Sequence, residues 1–401
     1  MNLNYLLLLF RFVKVKNSKI YDFIFIGAGA STLQIINNVI LSNSFKNFSI
    51  LIIENDKNKV NDRTWSFWGN ADDNFCKSFI AKEWNKICFK SKDFHLEESL
   101  HPLSYKMIRS APFYDGVKKL IKTYPNIKIK FDSFVSYFEE KNYVNIETVK
   151  AKYKSKFLFN SVINWNLILN QTKYPVLQQH FVGWFIKTDK EHFNSEIATF
   201  MDFDINQNKK TSFIYLLPLN KKEALVEYTL FSKERLKFAE YERGIRSYLN
   251  KNNIRNYSIN EIENGNIPMT CYPFHKHNSK RVLFIGSAGG WTKASTGFTF
   301  SSIRKKSEKL VNYLKKNDDL SKFESKNRFW WYDLLFLDVL SKYNHKGSQL
   351  FTKMFSKNKL EIILKFLDEE TSYYEEIKIF LSFPRLLFVK QLIMRLIRST
   401  H

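Results

Sequence analysis

The chain has 401 residues, 44% of them hydrophobic and 16% aromatic, with 12 glycines and 8 prolines. This length allows two or three domains with sizeable cores, and the composition excludes a long disordered protein. The formal net charge of +24 suits an anionic partner, either nucleic acid or a negatively charged membrane surface. A general bias toward lysine explains the charge equally well, because the lysines are spread over every segment and no recognised nucleic-acid module is present.

Cysteine usage and the N-terminal segment bear on the compartment. Cys76, Cys88 and Cys271 are scattered, with neither metal-ligand spacing nor an even number for disulfides, so we expect a reducing cytoplasm and no metal site. The apolar run at residues 5–10 is too short to cross a bilayer and lacks a cleavage site, so residues 1–20 are interpreted as an N-terminal extension. No later stretch reaches the roughly 18 uncharged apolar residues of a membrane-spanning helix.

A strand, a glycine turn and a helix near the N-terminus predict the first half of a dinucleotide-binding βαβ unit. Residues 21–26 form a nearly continuous apolar run, which is typical of a buried parallel strand. Gly27 permits a tight turn, Gly29 lets the backbone approach a pyrophosphate, and the helix that begins at Ala30 offers its free N–H groups. Thr32 stands where the full fingerprint has a third glycine.

A second apolar strand, residues 48–53, ends on Glu54. This carboxylate lies about 20 residues past the turn, where it would accept hydrogen bonds from an adenosine ribose. An ordinary βαβ unit with a structural turn is the weaker alternative, because turn, strand and acid all fall at the expected spacing.

An aromatic segment follows, in which Arg63 precedes Trp65, Phe67 and Trp68. Three aromatic residues within four positions are unusual for a loop. They suit an aromatic wall beside a cofactor and a hydrophobic plug under the sheet equally well.

The middle of the chain predicts a second sheet. Short strands at residues 127–131, 134–139, 144–149 and 157–162 predict an antiparallel sheet inserted into the nucleotide domain. In a predicted hairpin strand at residues 223–231, alternation puts Glu227 on a face with apolar neighbours, where desolvation favours the protonated carboxyl. A general acid requires such a proton near neutral pH, although the pattern alone favours a solvent-facing glutamate.

A second strand–glycine loop–helix follows residues 281–285. A flavin-binding domain needs this repeat, because the first loop holds the ADP part and the second brings a helix N-terminus to the ribityl phosphate and flavin. A glycine-rich turn that serves the fold and binds no cofactor is the weaker alternative to a flavin-binding loop. The cofactor-binding candidates in this loop are Gly286, Gly289, Gly290, Thr296 and Gly297.

From residue 323 onward the pattern is that of packed helices. The last helix starts at Pro384 and gathers Leu386, Val389, Ile393 and Leu396 on one side. A basic helix with a large apolar face can lie in a membrane interface, and docking on the core explains the pattern at least as well.

Together these elements predict an α/β flavoprotein of two domains, α+β in overall makeup. A Rossmann-like FAD-binding domain would comprise residues 21–125 and 265–320. An antiparallel β-sheet domain for the substrate would comprise residues 126–264, and a helical, membrane-associated C-terminal region would comprise residues 321–401.

In its motifs the chain resembles the bacterial lycopene β-cyclases, most closely the flavobacterial type. The resemblance covers almost everything after residue 20 and departs from the family pattern at Thr32, at Pro112 (where an aspartate is expected) and at Asn266 (where a valine is more usual). The matching segments are residues 27–31, 61–68, 181–184, 201–203, 215–219, 226–229, 265–269, 286–300, 328–333 and 365–371.

The resemblance implies an FAD enzyme that closes β-ionone rings on lycopene, giving γ-carotene and then β-carotene with no net redox change. Glu227 would protonate the terminal double bond, and Trp65, Phe67, Trp68 and Trp184 would stabilise the carbocation by about 1–2 kcal/mol each. Reduced FAD would stabilise the same cation, with NAD(P)H as reductant. The implied cofactor contacts are Gly27, Ala28, Gly29, Ala30, Ser31, Glu54, Arg63 and the glycine-loop candidates given above.

The implied partners are lycopene, related linear carotenoids and a membrane surface, with no nucleic acid. The implied location is the cytoplasm, peripherally on the inner membrane. An FAD-dependent monooxygenase or polyprenyl reductase of the same fold is the main alternative, and a basic non-enzymatic protein is the second.

Overall fold

The structure, a computed structural model, describes residues 19–70 and 77–399. Almost all of the predicted N-terminal extension, residues 1–20, lies outside the described residues, and so does Cys76. The helices are α1 (Ala30–Ser42), α2 (Ser110–Lys122), α3 (Trp165–Leu169), α4 (Phe238–Lys251), α5 (Phe300–Leu314), α6 (Arg328–Lys342), α7 (Gly347–Lys357), α8 (Leu360–Leu367), α9 (Tyr373–Ser382) and α10 (Arg385–Ser399). Short 3-10 helices cover Phe274–His277, Gly286–Gly289, Leu320–Lys322 and Asn344–Lys346.

The strands divide into three sheets. They are β1 (Ile20–Ile26), β2 (Ile50–Glu54), β3 (Thr64–Asn70), β4 (Ile80–Trp84), β5 (Lys86–Ser91), β6 (Phe94–Ser99), β7 (Leu103–Arg109), β8 (Ile127–Phe131), β9 (Phe134–Glu139), β10 (Val144–Thr148), β11 (Lys152–Asn160), β12 (Leu177–Thr188), β13 (Ile197–Asp202), β14 (Thr211–Pro218), β15 (Glu223–Ser232), β16 (Tyr257–Met269) and β17 (Val282–Phe284).

The first sheet carries the predicted nucleotide-binding motif, in the order β8-β2-β1-β11-β10-β9, with β17 beside β11. β1 pairs in parallel with β2 and with β11. The apolar runs of β1 and β2 are buried, as expected for parallel strands that are covered on both faces. Helices α1, α2 and α5 pack on one face and form a shared apolar core with it.

The strands between residues 127 and 160 belong to this first sheet, which corrects the prediction that they form part of the inserted sheet. β8 pairs in parallel with β2, and β11 pairs in parallel with both β1 and β17. Only β9 and β10 continue the edge in antiparallel fashion. Side-chain alternation identifies a strand but does not identify its partner, which depends on contacts far apart in the sequence.

The second sheet has the order β16-β12-β15-β14-β13-β5-β6. All of its pairs are antiparallel except β13 with β5. β5 and β6 come from residues 86–99, so the prediction that assigned residues 21–125 wholly to the first domain is wrong for this hairpin. One face of the sheet packs on α4. The other face carries a large aromatic core that reaches helices α6 to α9.

The small sheet β3-β7-β4 and the C-terminal helices complete the fold. Helices α6 to α10 occupy the region where helices were predicted, and α7 packs beside β5 and β6. Within residues 19–70 and 77–399, no helix combines the length and the apolar content that a membrane span needs.

Candidate active site

A cavity of about 390 Å³ lies between the first and second sheets. Its wall includes Gly29 and Ser161, which follow the carboxyl ends of β1 and β11, and Ser287, which follows β17. The opposite wall comes from β12, β14, β15 and β16. In α/β folds, ligands bind at this edge of the parallel sheet, so the cavity lies where the glycine turn was expected to act.

The glycine turn reaches the cavity at Gly29, whereas Gly27 does not border it. Gly27 has φ +87°, and an added Cβ would lie 2.3 Å from Ser161 Oγ, so both its conformation and its packing favour glycine. A Cβ at Gly29 would meet no atom within 4 Å. Helix α1 then begins at Ala30 with no side-chain cap and no acidic residue in its first turn. Its free N–H groups and positive dipole end therefore suit an anionic group.

Glu54 supports the turn from beneath it. Its carboxylate accepts hydrogen bonds from the backbone N–H of Ala28 (2.6 Å) and of Asp56 (3.0 Å), and it pairs with Lys59 at 3.1 Å. Burial alone would raise the pKa of Glu54, but these partners together lower it. Glu54 and Ala28 do not border the cavity, so the expected contact of Glu54 with a ribose stays a prediction.

The second glycine loop meets the first at the start of α1. Gly286 has φ +61°, and an added Cβ would lie 2.7 Å from Ser31 Oγ. Gly297 has φ +73°, and its Cβ would lie 1.8 Å from the side-chain oxygen of Gln179. The residues of the two loops that border the cavity include Gly286, Gly297, Ala30 and Ser31, and Arg63 borders it as well; their contact with a cofactor stays a prediction.

The other candidates of the second loop do not border the cavity, which corrects their predicted placement. An added Cβ at Gly289 would clash with the carbonyl oxygen of Phe284 at 2.1 Å, and one at Gly290 would meet the ring of Phe274 at 2.7 Å. These two glycines are therefore required by packing within the protein. Thr296 borders a separate cavity among the C-terminal helices.

Two buried carboxyls face the cavity from neighbouring strands. The sheet register places Glu227 of β15 and Glu263 of β16 on either side of Gly183 of β12. A Cβ on Gly183 would lie 3.4 Å from Glu227 Cβ and 3.2 Å from Glu263 Cγ. Because this central residue is a glycine, the two carboxyls share one space above the sheet.

The environment of this pair favours protonation. Burial, followed by the negative charge of Glu263, raises the pKa of Glu227 to about 8. Burial also raises the pKa of Glu263, against the opposing effects of the Thr64 hydroxyl and of Arg109. Two like charges in one poorly solvated space cannot both ionise readily, so the pair retains a proton near neutral pH.

Hydroxyl groups surround the two carboxyls. Thr229 Oγ1 donates to Glu227 Oε1 at 2.6 Å, and Thr64 Oγ1 donates to Glu263 Oε2 at 2.6 Å. Tyr105 and Tyr215 also border the cavity, and burial raises the pKa of both phenols. Both phenols therefore remain neutral beside the acid.

The predicted aromatic residues separate into three places. Trp65 borders the main cavity and packs against Phe300 at a ring-centroid distance of 5.4 Å. Phe67 and Trp68 border an adjoining cavity of about 140 Å³, and Trp68 Nε1 donates to Asp368 at 2.6 Å. Phe67 packs against Phe300 and Trp68 packs against Phe298. Phe298 and Phe300 in turn border the main cavity.

Trp184 lies outside the site, which corrects its predicted role. The residues directly before and after Trp184 point to the other side of β12. Trp184 itself packs with the α4 core, where the guanidinium of Arg246 lies 4.8 Å from its ring centroid. Successive side chains of a strand point to opposite faces. Since Gly183 faces the cavity, its neighbour Trp184 faces away.

Several site residues were not identified from the sequence. They are Thr64, Tyr105, Gln179, Tyr215, Glu263 and Asn266. Gln179 Oε1 and Asn266 Oδ1 are buried and have no hydrogen-bond partner among the described residues. Glu263 lies two residues before Gly265, which begins the matching segment 265–269, and this position is the signal by which the sequence could have identified it.

The fold defines the class of protein: a mixed α/β fold with a Rossmann-like first sheet, which is shared with FAD-dependent flavoproteins. A geranylgeranyl bacteriochlorophyll reductase-like protein from Thermoplasma acidophilum superposes with a TM-score of 0.60 at 10% identity, over 94% of this chain and 99% of that chain. A flavoprotein/dehydrogenase from Cytophaga hutchinsonii gives 0.58 at 11% identity, over 87% and 92%. A variant of the halogenase PltM in complex with FAD gives 0.54 at 11% identity, over 84% and 77%.

Sequence comparison identifies the family. The model of the family described as lycopene cyclase protein matches residues 22–392, and the chain belongs to this family. The family predicted from the motifs is thereby confirmed. Comparison with curated proteins gave no significant match.

Proposed function

We propose that the protein is an FAD-dependent lycopene β-cyclase that converts lycopene to γ-carotene and β-carotene without net redox change. The observation that carries this proposal is the buried pair Glu227 and Glu263 in the cavity of a lycopene cyclase family member. Ring closure on a hydrocarbon begins with proton addition and ends with proton loss. Both steps need carboxyl groups held in a poorly solvated space.

The residues of the cavity fit FAD. Gly29 leaves room for a pyrophosphate at the uncapped start of α1, and Gly286 brings the second loop against Ser31. The unpartnered oxygens of Gln179 and Asn266 suit an N–H donor, such as the one on a flavin ring. Reduced FAD bound here would supply negative charge that stabilises a carbocation.

Glu227 is the proton donor in this proposal. Its carboxyl transfers a proton to the terminal double bond of the substrate, which leaves a positive charge on a tertiary carbon. The next double bond attacks that carbon and closes the ring. Loss of a ring proton to the carboxylate pair then forms the new double bond and restores the proton that Glu227 donated.

The neighbouring side chains orient the two carboxyls and stabilise the cation. Thr229 and Thr64 orient the two carboxyls through their hydrogen bonds. Trp65 offers its ring for cation–π stabilisation of about 1–2 kcal/mol. Phe67 and Trp68 support the wall behind Phe298 and Phe300, and their direct contact with a cation remains part of the proposal.

The proposal extends to the reductant and the membrane. NAD(P)H would reduce the bound FAD, and the substrates would be lycopene and related linear carotenoids. The protein would act at the cytoplasmic side of the inner membrane without binding nucleic acid. The apolar, basic face of α10 supports this location.

Expression in lycopene-accumulating bacteria tests the function. We expect β-carotene in the pigment extract, with the same mass as lycopene. Two variants form a matched pair. Cells with Glu227→Gln should accumulate lycopene. Cells with Glu223→Gln, a change at the first residue of the same strand, where Glu223 pairs with Lys187, should not. Unchanged lycopene beside soluble, flavin-loaded wild-type protein would refute the proposal, and a product that has gained oxygen or hydrogen would favour a monooxygenase or a reductase.

A further inference from the structure

A second cavity, of about 580 Å³, lies among the C-terminal helices. Helices α6 to α10 surround it, and most of its wall is apolar, including Phe336, Met354, Phe380 and Leu392. Asp338 and Arg395, two of its charged wall residues, form an ion pair with each other. An apolar cavity of this kind suits a hydrocarbon ligand better than a polar one.

One end of this cavity opens at the surface beside α10. Val389, Leu392 and Leu396 border the cavity, yet they are 51%, 46% and 58% exposed. Apolar residues gathered at an opening mark an interaction surface. Besides Arg395, whose charge Asp338 neutralises, helix α10 carries the cations Arg385 and Lys390 and no acidic residue. This combination suits the surface of a membrane that contains anionic lipids.

The other end of the cavity approaches the active site. Thr296 borders the apolar cavity, whereas the next two residues, Gly297 and Phe298, border the catalytic one. The core between them is continuous, because Leu217 from the catalytic wall and Met354 from the apolar wall belong to the same hydrophobic cluster. On this side of the apolar cavity, Asp333 of its wall forms a buried ion pair with Lys293, so the apolar route passes beside a neutralised pair of charges.

The catalytic cavity is too small for the whole substrate. Its volume of about 390 Å³ is at the lower end of the range for small-ligand pockets, and on the proposed function a flavin shares it. A linear carotenoid therefore needs apolar space beyond the ring that is being closed.

We propose that the apolar cavity binds the distal chain of the linear polyene and receives it from a membrane leaflet through the opening beside α10. This inference rests on the proposed function for the identity of the polyene. Arg395, which pairs with Asp338 and donates to the backbone oxygen of Lys173 at 2.8 Å, holds α10 over the cavity.

Tryptophan substitutions at the opening test this inference in the holoenzyme. Leu392→Trp and Val389→Trp fill the opening, whereas Leu386→Trp changes the same helix at a position that is 88% exposed and does not border the cavity. With lycopene supplied in vesicles, we expect KM to rise by about tenfold or more in the two opening variants with little change in kcat. Leu386→Trp should have the KM and kcat of the wild type. All three variants should keep the FAD content and the thermal unfolding of the wild type.

A binding measurement makes the inference independent of turnover. The fluorescent polyene cis-parinaric acid should bind the wild type and Leu386→Trp, bind weakly to Leu392→Trp, and be displaced by lycopene. Equal binding by all variants would overturn the inference. Displacement by phosphatidylglycerol vesicles but not by lycopene would assign the cavity to a lipid acyl chain and would also overturn it. A failure of the proposed function alone would appear as flavin-loaded wild type that binds polyene at this opening yet forms no ring.

Discussion

Replacement of Glu227 by glutamine removes a proton donor and, at the same time, a source of pH-dependent instability. Glutamine keeps the size of the side chain and can still interact with Thr229, but it cannot donate a proton to a double bond. A positioned general acid contributes about 10²–10⁴-fold to a rate. We expect the cyclisation rate of Glu227→Gln to fall by at least the lower of these factors, with the FAD content unchanged.

The stability of the same variant follows from the raised pKa. In the folded protein burial raises the pKa of Glu227 from 4.5 to about 8, so between these values the folded state binds more protons than the unfolded state. Stability must therefore fall as pH rises through this window. One pKa unit corresponds to about 1.4 kcal/mol, so the loss above about pH 8 is on the order of a few kcal/mol. The glutamine variant lacks this loss and should be the more stable protein at alkaline pH.

Two assays check the two halves of this prediction. Cyclisation of lycopene is followed by pigment chromatography, and wild-type activity should decline as pH rises through the pKa of Glu227. Urea unfolding at about pH 6 and about pH 9 gives the change in stability for each protein. A variant that cyclises at the wild-type rate, or a wild type whose stability does not fall with pH relative to the variant, would contradict the reasoning.

Four further substitutions probe the carboxyl pair, the first glycine turn and the buried ion pair between Lys293 and Asp333 of α6. Gly183→Ala places a methyl 2.8 Å from a Leu225 methyl and 3.2 Å from Glu263 Cγ, so it should cost about 1–3 kcal/mol in thermal unfolding and reduce cyclisation. Gly27→Ala should destabilise the fold by about 1–3 kcal/mol, because Gly27 has a positive φ. Gly29→Ala should keep wild-type thermal stability, because its added methyl meets no protein atom. It should nevertheless lose bound flavin, measured as flavin absorbance per protein. Lys293→Met leaves the buried Asp333 without its 3.1 Å partner and should cost about 3–5 kcal/mol in urea unfolding; wild-type stability would show that the ion pair does not anchor the helices.

The first glycine turn shows how far sequence reasoning reaches. Gly27, Gly29 and the following helix are recognisable because a strand, a turn and a helix are local patterns with fixed spacing. The structure places the turn at the edge of a parallel sheet, as predicted. Glu54 lies under the turn rather than in the cavity, because its carboxylate is taken up by Ala28 and Lys59.

The strand partners could not be predicted in the same way. The strands of residues 127–160 have the alternation of half-exposed strands, yet β8 pairs with β2 and β11 pairs with β1, and the four strands belong to the first sheet. The β5–β6 hairpin leaves the first domain to join the second sheet. Register and partner depend on contacts between distant segments, which single-strand periodicity does not contain.

The sequence by itself determined the family and the two glycine loops, and the family resemblance predicted Glu227 as the acid although the strand pattern favoured a solvent-facing glutamate. These depend on residue order and local spacing, which a linear chain displays directly. Only the tertiary structure brought Glu263 beside Glu227 across Gly183 and turned Trp184 away from them. The physical reason is that the sheet register brings side chains that are distant in sequence close together in space. The pKa of Glu227 is therefore raised by burial and, after it, by the charge of Glu263.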